Sequence, residues 1–164
     1  VVDCTGESTV RVLLSRLARG PLANTPVAMV WVEPLCAAGH LVWISAGDSW
    51  PLSDPADDVI NIARWERDTA VRLPACGVSF HPYGASDIWQ IAAFSCERLL
   101  AHIDDTQGAS TVWTWCRGTK FFEDLLDLAT PGPLVPTTEH KHDSRTFQRN
   151  FESLIRGLGD ESGA

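Results

Sequence analysis

The first 32 residues constrain the fold most, because two apolar runs flank one amphipathic segment. Val1–Val2 are typical of the end of a buried strand, and "PVAMVWVEP" is a continuous apolar run of the kind that is buried on both faces of a sheet. Between them, apolar residues at helical spacing predict a helix from Ser8 to Leu17, which Gly20-Pro21 ends. This strand–helix–strand order predicts a βαβ unit in which Val1–Val2 and Val27–Val32 are parallel neighbours, and therefore an α/β fold.

Further apolar segments alternate with polar loops rich in Pro and Gly along the rest of the chain. "HLVWI" and "STVWTWC" predict two more strands. One helix is predicted from Asp57 to about Thr69, and another from Ser86 or Asp87 to about Ile103. The second of these helices has an inner stripe of apolar and small residues, namely Ile88, Ile91, Ala92, Ser95 and Leu99.

A change in composition near residue 130 predicts the domain organisation. Residues 1–129 form one α/β unit, and residues 130–146, rich in Pro, Thr, His and Lys, form a linker. Residues 147–164 form a short helical tail, in which "FQRNFESLI" is amphipathic at helical spacing.

Charge and cysteine usage exclude several classes of function. The net charge of -8 argues against nucleic acid and against an anionic membrane surface as the main partner. No apolar segment is long enough to span a bilayer and the first residues lack the basic start of a signal peptide, so a cytoplasmic protein is expected. The five cysteines are odd in number and form no CxxC pair, which disfavours a disulfide framework and a structural zinc site.

Three segments, taken in order, resemble one family of enzymes. "VVDCTGESTVRVLL" resembles the segment of ThiF, MoeB, HesA and the ubiquitin-activating enzymes in which a strand ends in D-C-T or D-x-T and V-R precedes a helix. "PVAMVWVEPLCAAGHLVWI" is similar to the strand and hairpin that follow, and its "WVEP…GH" is similar to bacterial ThiF-like domains of ubiquitin-like conjugation and phage-defence operons. "ACGVSFHPYGASDIWQIAAFSCERLL" resembles the family's cysteine loop and the helix behind it. The resemblance covers roughly residues 1–116.

This resemblance implies the C-terminal half of a Rossmann-like ThiF-type domain, with a mostly parallel sheet flanked by helices. The N-terminal half of such a domain carries the Gly-rich loop that cradles ATP phosphates, and no GxGxxG occurs in this sequence. The resemblance therefore implies ATP and Mg²⁺ as cofactors and a missing N-terminal half as a partner. It also implies a homodimer, a ubiquitin-like or other small protein as the substrate, and a conjugating-enzyme-like acceptor.

Asp3 is the first catalytic residue that the resemblance implies. Its carboxylate would hold Mg²⁺ at the carboxyl end of a parallel strand, where ligand crevices open, and Thr5 would belong to the same cofactor-binding motif. Arg11 also lies in this motif, where a structural role is expected. From the residues alone, Asp3 has an alternative role as the cap of the helix that begins near Ser8.

Cys76 is the second catalytic residue that the resemblance implies, as the nucleophile that takes the activated C-terminus as a thioester. It lies between Pro74 and Gly77 in a loop, where a thiol can be exposed and can move. Arg72, His81 or the N-terminus of the following helix would favour its thiolate.

Cys36 is the competing thiol, because Glu33 and His40 lie close to it in sequence and suggest a metal site or a second reactive cysteine. The corresponding turn of the family usually holds small residues, which favours a tolerated cysteine instead. His140 and His142 are a further candidate metal pair, although a polar linker favours solvated side chains. The remaining cysteines are expected to be small buried residues, namely Cys4, Cys96 and Cys116.

The sequence thus predicts an ATP-dependent activating enzyme that adenylates the C-terminus of a small protein and takes it as a thioester. One alternative is an adenylating enzyme without a thioester step, which serves sulfur transfer or peptide modification. The absence of CxxC zinc pairs favours the conjugation branch over this alternative. The other alternative is a non-catalytic half-domain that acts as a dimerisation or scaffold module.

Overall fold

The computed structural model describes residues 1–48, 60–73, 79–104, 108–125, 128–136, 140–150 and residue 154. In chain order its elements are β1 (Val2–Asp3), α1 (Ser8–Leu17), β2 (Val27–Val32), a 3-10 turn (Pro34–Cys36), β3 (Ala38–Ile44), β4 (Ala63–Trp65), β5 (Val71–Arg72), β6 (Ser79–Phe80), α2 (Ala85–Asp104), β7 (Thr111–Cys116), α3 (Thr119–Leu125), β8 (Ala129–Pro131) and β9 (Arg145–Asn150). The main sheet has the order β1-β2-β3-β7-β9, and two small sheets pair β4 with β8 and β5 with β6.

The main sheet confirms the predicted βαβ unit and corrects the prediction of a mostly parallel sheet. β1 and β2 are parallel, with Val2 opposite Ala28. The three other pairings of this sheet are antiparallel. The reason is the tight turn between β2 and β3, in which Leu35 and Cys36 have φ of 54° and 56°. A parallel pair needs a crossover of about a dozen residues or more, and this connection is far shorter. The chain is therefore a mixed α/β protein.

The helix α1 has the bounds that the sequence predicts and covers one face of the main sheet. Leu14 is buried in a core cluster on that face. Its other buried members are mostly residues of the main sheet, namely Val27, Met29, Trp31, Val42, Ile44, Ile60 and Val112.

The helix α2 confirms the second predicted helix to within a residue or two at each end and packs on the opposite face. Ala28 and Leu41 form a cluster with Leu99 of α2, and side chains of successive strand residues point to opposite faces. The helix comes close to β3 at Gly39, where a Cβ atom would clash with the side chain of Ile91. Glycine at this position therefore sets how closely helix and sheet pack.

The helix predicted from Asp57 to Thr69 is wrong from residue 61 onward, because Ala63–Trp65 form β4. Residues 57–59 lie outside the described residues. This segment is held by tertiary contacts, since β4 pairs with β8, and Ile62 and Ala63 donate backbone hydrogen bonds to a distant carboxylate. Such contacts override the local helical pattern.

The helix predicted for the tail is wrong over residues 147–150, because Arg145–Asn150 form β9 beside β7. Phe147 and Arg149 are half-buried whereas their neighbours are exposed, which is the two-residue alternation of an edge strand. Residues 151–153 and 155 lie outside the described residues. The end of β8 and the beginning of β9 fall within the segment predicted as a linker.

Candidate functional site

A cleft with a volume of about 490 Å³ lies where the parallel strands β1 and β2 end. This is the edge at which α/β proteins bind ligands. The cleft is lined by residues from the loop after β1, from α1, from the end of β2 and from two later segments, namely Cys4, Thr5, Gly6, Glu7, Arg11, Val30, Trp31, Val32, Glu33, Pro34, Asn61, His81 and Tyr83.

Asp3 lies at the base of the loop that lines this cleft, and its side chain is 6% exposed. Its Oδ1 accepts hydrogen bonds from the backbone N–H of Thr5 at 2.9 Å and from Thr5 Oγ1 at 2.7 Å. Thr5 Oγ1 in turn accepts a hydrogen bond from the backbone N–H of Glu7. Within the described residues, Asp3 Oδ2 has no hydrogen-bond partner, so one carboxylate oxygen is fixed and the other is unpaired there.

The alternative role of Asp3 as a helix cap is not what the structure shows. The N-cap of α1 is Glu7, and no side chain makes a cap hydrogen bond there. The bonds of Asp3 to Thr5 instead close the loop before the helix, and Gly6 in that loop has a φ of 68°, a conformation that L side chains rarely adopt. Thr5 and Gly6 therefore line the cleft, and the buried Asp3 behind them holds this loop in place.

The cleft is also lined by Arg11, which belongs to the same motif, and by Trp31 and Asn61, which the sequence did not single out for this site. The Arg11 guanidinium lies 5.6 Å from the centre of the Trp31 ring, and Arg11 is buried. Trp31 Nε1 donates a hydrogen bond of 3.0 Å to Asn61 Oδ1. These contacts agree with the expected structural role of Arg11. No local pattern marks Asn61, because it reaches the cleft through a contact between segments 30 residues apart.

Cys76, the predicted nucleophile, lies outside the described residues. It falls in the sequence between β5 and β6, which pair with each other. The residues after β6 lead to the cleft, since His81 and Tyr83 line it, and His81 Nδ1 lies 2.9 Å from Thr69 Oγ1.

Cys36 does not have the properties of a nucleophile. It is fully buried, and burial raises the pKa of its thiol to about 11, with Asp87 adding to the rise and Arg117 opposing it. At neutral pH a thiol with this pKa is almost entirely protonated and therefore unreactive.

Glu33 and His40, the neighbours of Cys36 in sequence, form a buried pair rather than a metal site. His40 Nε2 lies 2.8 Å from Glu33 Oε1, and both side chains are inaccessible to solvent. The backbone N–H groups of Ile62 and Ala63 donate to Glu33 Oε1 and Oε2 at 2.6 and 3.1 Å. Across the described part of the chain, no three His, Cys, Asp or Glu side chains are placed to hold a metal ion, and this includes His140 and His142.

This buried pair continues into a network that sequence reasoning missed. His40 Nδ1 lies 3.0 Å from Thr114 Oγ1, and Arg149 Nη2 donates to Thr114 Oγ1 at 2.7 Å and to the carbonyl oxygen of Ile60 at 2.6 Å. Burial lowers the pKa of Arg149 to about 10, which leaves the guanidinium charged at neutral pH. The network joins β3, β7 and β9 within the main sheet and ties the segment around residue 60 to them, and its role is structural.

The other cysteines divide into two groups. Cys116 is buried as predicted, and burial raises the pKa of its thiol to about 11. Cys4 and Cys96 are exposed, so the prediction that they are buried is wrong. Cys4 lies in the wall of the cleft, and partial burial, followed by the charges of Asp3 and Cys96, raises the pKa of its thiol. It is therefore accessible but is not activated as a thiolate.

No protein-family model matches the chain, and no curated protein matches it. Among the described helices, none is long and apolar enough to cross a membrane. A carboxylate oxygen, as in Asp3 behind this cleft, is a ligand of the type that hard divalent cations prefer.

Proposed function

We propose that this chain is the C-terminal half of a Rossmann-like, ThiF-type activating enzyme, which adenylates the C-terminus of a ubiquitin-like or other small protein. The observation that carries the proposal is Asp3. Its carboxylate ends a strand of the parallel pair, next to a cleft of about 490 Å³, with one oxygen held by Thr5. The resemblance of "VVDCTGESTVRVLL" to the metal-binding segment of this family points to the same residue.

Asp3 would hold Mg²⁺ through Oδ2, while Thr5 keeps the carboxylate in position through Oδ1. Mg²⁺ is commonly bound by only one or two carboxylates together with the phosphates of its nucleotide, so a single aspartate suits it. The metal would supply positive charge to the phosphates while the substrate carboxylate attacks the α-phosphate of ATP, the acyl adenylate forms and pyrophosphate leaves. The Arg11 guanidinium would add positive charge to the same cleft.

The nucleotide-binding half would join the sheet at β1. This strand is the edge of the main sheet, so its outer backbone groups can pair with a further strand. Val1 and Val2 are each 49% exposed at this edge and would be covered by such a strand. This half would supply the loop that cradles the ATP phosphates, for which this sequence has no motif.

Cys76 would take the activated C-terminus as a thioester and pass it to a conjugating-enzyme-like acceptor. The thiol attacks the carbonyl carbon of the acyl adenylate, AMP leaves, and the thiol proton passes to a base or to solvent. Two features favour Cys76 over the other thiols. Cys36 and Cys116 are buried with raised pKa values, and the segment that follows Cys76 leads to His81 in the cleft wall.

Substitution of Cys76 tests this step in the complete activating enzyme. We expect Cys76→Ala to leave ATP–pyrophosphate exchange largely intact, because adenylation needs no thiol, and to eliminate the adduct with the substrate protein that is sensitive to reducing agent. Cys36→Ala and Cys4→Ala are the matched controls and should retain the adduct, which is measured on a non-reducing gel. An adduct that survives Cys76→Ala and disappears in Cys4→Ala would move the nucleophile to the cleft wall. Exchange without any thiol-sensitive adduct would favour an adenylating enzyme that has no thioester step.

A dimerisation module is a second candidate, and one observation favours it. The outer flank of α2 carries Trp89, Leu100 and Ile103, which are 75%, 62% and 50% exposed. With Ala93 and Cys96, also exposed, they repeat at alternating spacings of three and four residues, which forms one continuous apolar stripe along a helix. We propose that a second copy of this chain covers the stripe. Sedimentation equilibrium should then show a dimer that Trp89→Glu dissociates, whereas a monomeric wild type would exclude the second copy.

A further inference from the structure

A second cleft, of about 520 Å³, lies at the opposite end of the main sheet. It is lined by the last turns of α2, residues 108–110, and the strands β7 and β9. Its strand residue Thr111 pairs with Trp43 and Asn150, whereas the cleft beside Asp3 adjoins the other end of β2. At about 3.3 Å per strand residue, the two ends of the sheet are roughly 15–20 Å apart. The two clefts are therefore separate sites.

Arg98 is the feature that distinguishes this second cleft. Its guanidinium lies 4.5 Å from the centre of the Trp113 ring, and its Nε–H is buried without a hydrogen-bond partner. No carboxylate or hydrogen-bond acceptor within the described part of the chain pairs with Arg98, whereas Arg117 pairs with Asp87 and Arg64 with Glu66. A buried donor without an acceptor is unfavourable for folding, so the position of this arginine destabilises the chain itself.

Hydrogen bonds and ring stacking order the other side chains that line this cleft. Trp113 Nε1 donates a hydrogen bond of 3.2 Å to His102 Nε2, and the His102 ring is stacked on Trp43 at 5.1 Å. Gln148 Nε2 donates to Thr111 Oγ1 at 2.9 Å. None of the described residues that line this cleft is acidic, although the chain as a whole has a net charge of -8. Arg98 therefore carries a charge that no lining carboxylate offsets, while Asp48 lies behind Ser110, which donates a hydrogen bond to Asp48 Oδ2.

We infer that the Arg98 cleft binds the oxyanion of a small ligand, a phosphate or a carboxylate. The guanidinium offers a planar fork of N–H donors that matches both groups, and stacking on Trp113 fixes the plane of that fork. Its Nη groups, which are not among the buried unpartnered atoms, are the donors that the cleft presents to the ligand. The volume lies within the range of about 300–1,000 Å³ that is usual for small-molecule sites, so the ligand can extend beyond its anionic group. This inference does not depend on the proposed function of Asp3 and Cys76.

Titration of the ¹⁵N-labelled chain with inorganic phosphate and, separately, with acetate at constant ionic strength tests the inference. We expect one of the two anions to shift the NMR signals of Arg98 Nε–H and of the Trp113 indole N–H along one saturable curve. The anion that binds more tightly identifies the oxyanion, phosphate or carboxylate.

Arg98→Gln should weaken the tighter anion at least tenfold, and Arg98→Lys should also weaken it, since an ammonium keeps the charge but lacks the fork. Arg16→Gln is the matched control, because it removes the same charge from an exposed position on α1, and its affinity should equal that of the wild type. If neither anion shifts the Arg98 signal of the wild type, or if Arg16→Gln weakens binding as much as Arg98→Gln, the inference is wrong. The wild-type titration decides the matter even if an Arg98 variant fails to fold.

Discussion

Asp3 and Glu33 stand at the ends of the two parallel strands of the main sheet, yet their carboxylates are used in different ways. Glu33 is 1% exposed, and both of its oxygens accept hydrogen bonds, from His40 and from the backbone N–H groups of Ile62 and Ala63. Both hydrogen bonds to Asp3 fall on Oδ1 and come from Thr5. Glu33, with His40 and the backbone of Ile62 and Ala63, therefore forms a fully hydrogen-bonded structural contact, the sealed joint. At the end of β1, Asp3 keeps one oxygen without a hydrogen-bond partner among the described residues. A carboxylate at the end of a parallel strand is a candidate site only if it has an unused oxygen.

The largest expected effect concerns the sealed joint. Glu33→Ala should lower the free energy of unfolding by about 3–5 kcal/mol, because it leaves His40 and two backbone N–H groups buried without an acceptor. Urea denaturation followed by tryptophan fluorescence measures this. A loss below about 1 kcal/mol, the value typical of an exposed pair, would show that the joint is open to water and that the two strand ends do not differ.

Each of the two buried thiols near this joint should give the next largest effect, as a loss of stability at alkaline pH. Burial raises the pKa of both Cys36 and Cys116 from 9.0 to about 11. Between pH 9 and pH 11 the folded state binds more protons than the unfolded state. The two thiols therefore make their full contribution to the free energy of unfolding below pH 9, and this contribution is lost as the pH rises through about 11. Each thiol accounts for about 2–3 kcal/mol over that range.

Urea denaturation at pH 8 and at pH 11 checks this contribution. In Cys116→Ala the free energy of unfolding should fall less between pH 8 and pH 11, by the contribution of one buried thiol. Cys96 is exposed, so Cys96→Ala should not change that fall. Equal pH dependence in all three proteins would place Cys116 in contact with solvent and would contradict the sealed interior.

The end of β1 should tolerate substitution better. Thr5→Val removes the hydrogen bond to Asp3 Oδ1 and the bond from the Glu7 N–H, both at part-buried or exposed positions, and should cost about 1 kcal/mol. Thr5→Ser keeps the hydroxyl and should cost less. Thermal unfolding followed by circular dichroism compares the two variants. If Thr5→Val destabilised the protein as much as Glu33→Ala, the loop after β1 would be a structural joint as well.

The sequence predicts the elements whose signal is local and misses those made by distant partners. The helices α1 and α2 and the strands β2, β3 and β7 follow from apolar periodicity within one segment. The strands β4 and β9 were predicted as helix because their state is decided by pairing with β8 and β7, which no local pattern contains. The helix α3 was not predicted.

The same limit applies to the candidate site. The position of Asp3 at a strand end was predictable, and so was the proximity of Glu33 to His40. The role of that pair was not, because His40 reaches Thr114 across 74 residues of sequence. Asn61 and His81 join the cleft through contacts of the same long-range kind.

ATP–pyrophosphate exchange by the complete activating enzyme, with Asp3→Asn beside Glu7→Gln, tests the central claim most directly. Asparagine keeps an oxygen for the two hydrogen bonds from Thr5, so the loop should stay intact while the metal loses its carboxylate. Glu7 lines the same cleft, and Glu7→Gln removes one negative charge there. Because the Glu7 side chain makes no cap hydrogen bond to α1, this replacement should leave the helix intact. We predict that Asp3→Asn lowers exchange by a factor on the order of 100 or more and that Glu7→Gln retains most of it. A folded Asp3→Asn enzyme that exchanges pyrophosphate at the wild-type rate would contradict the account.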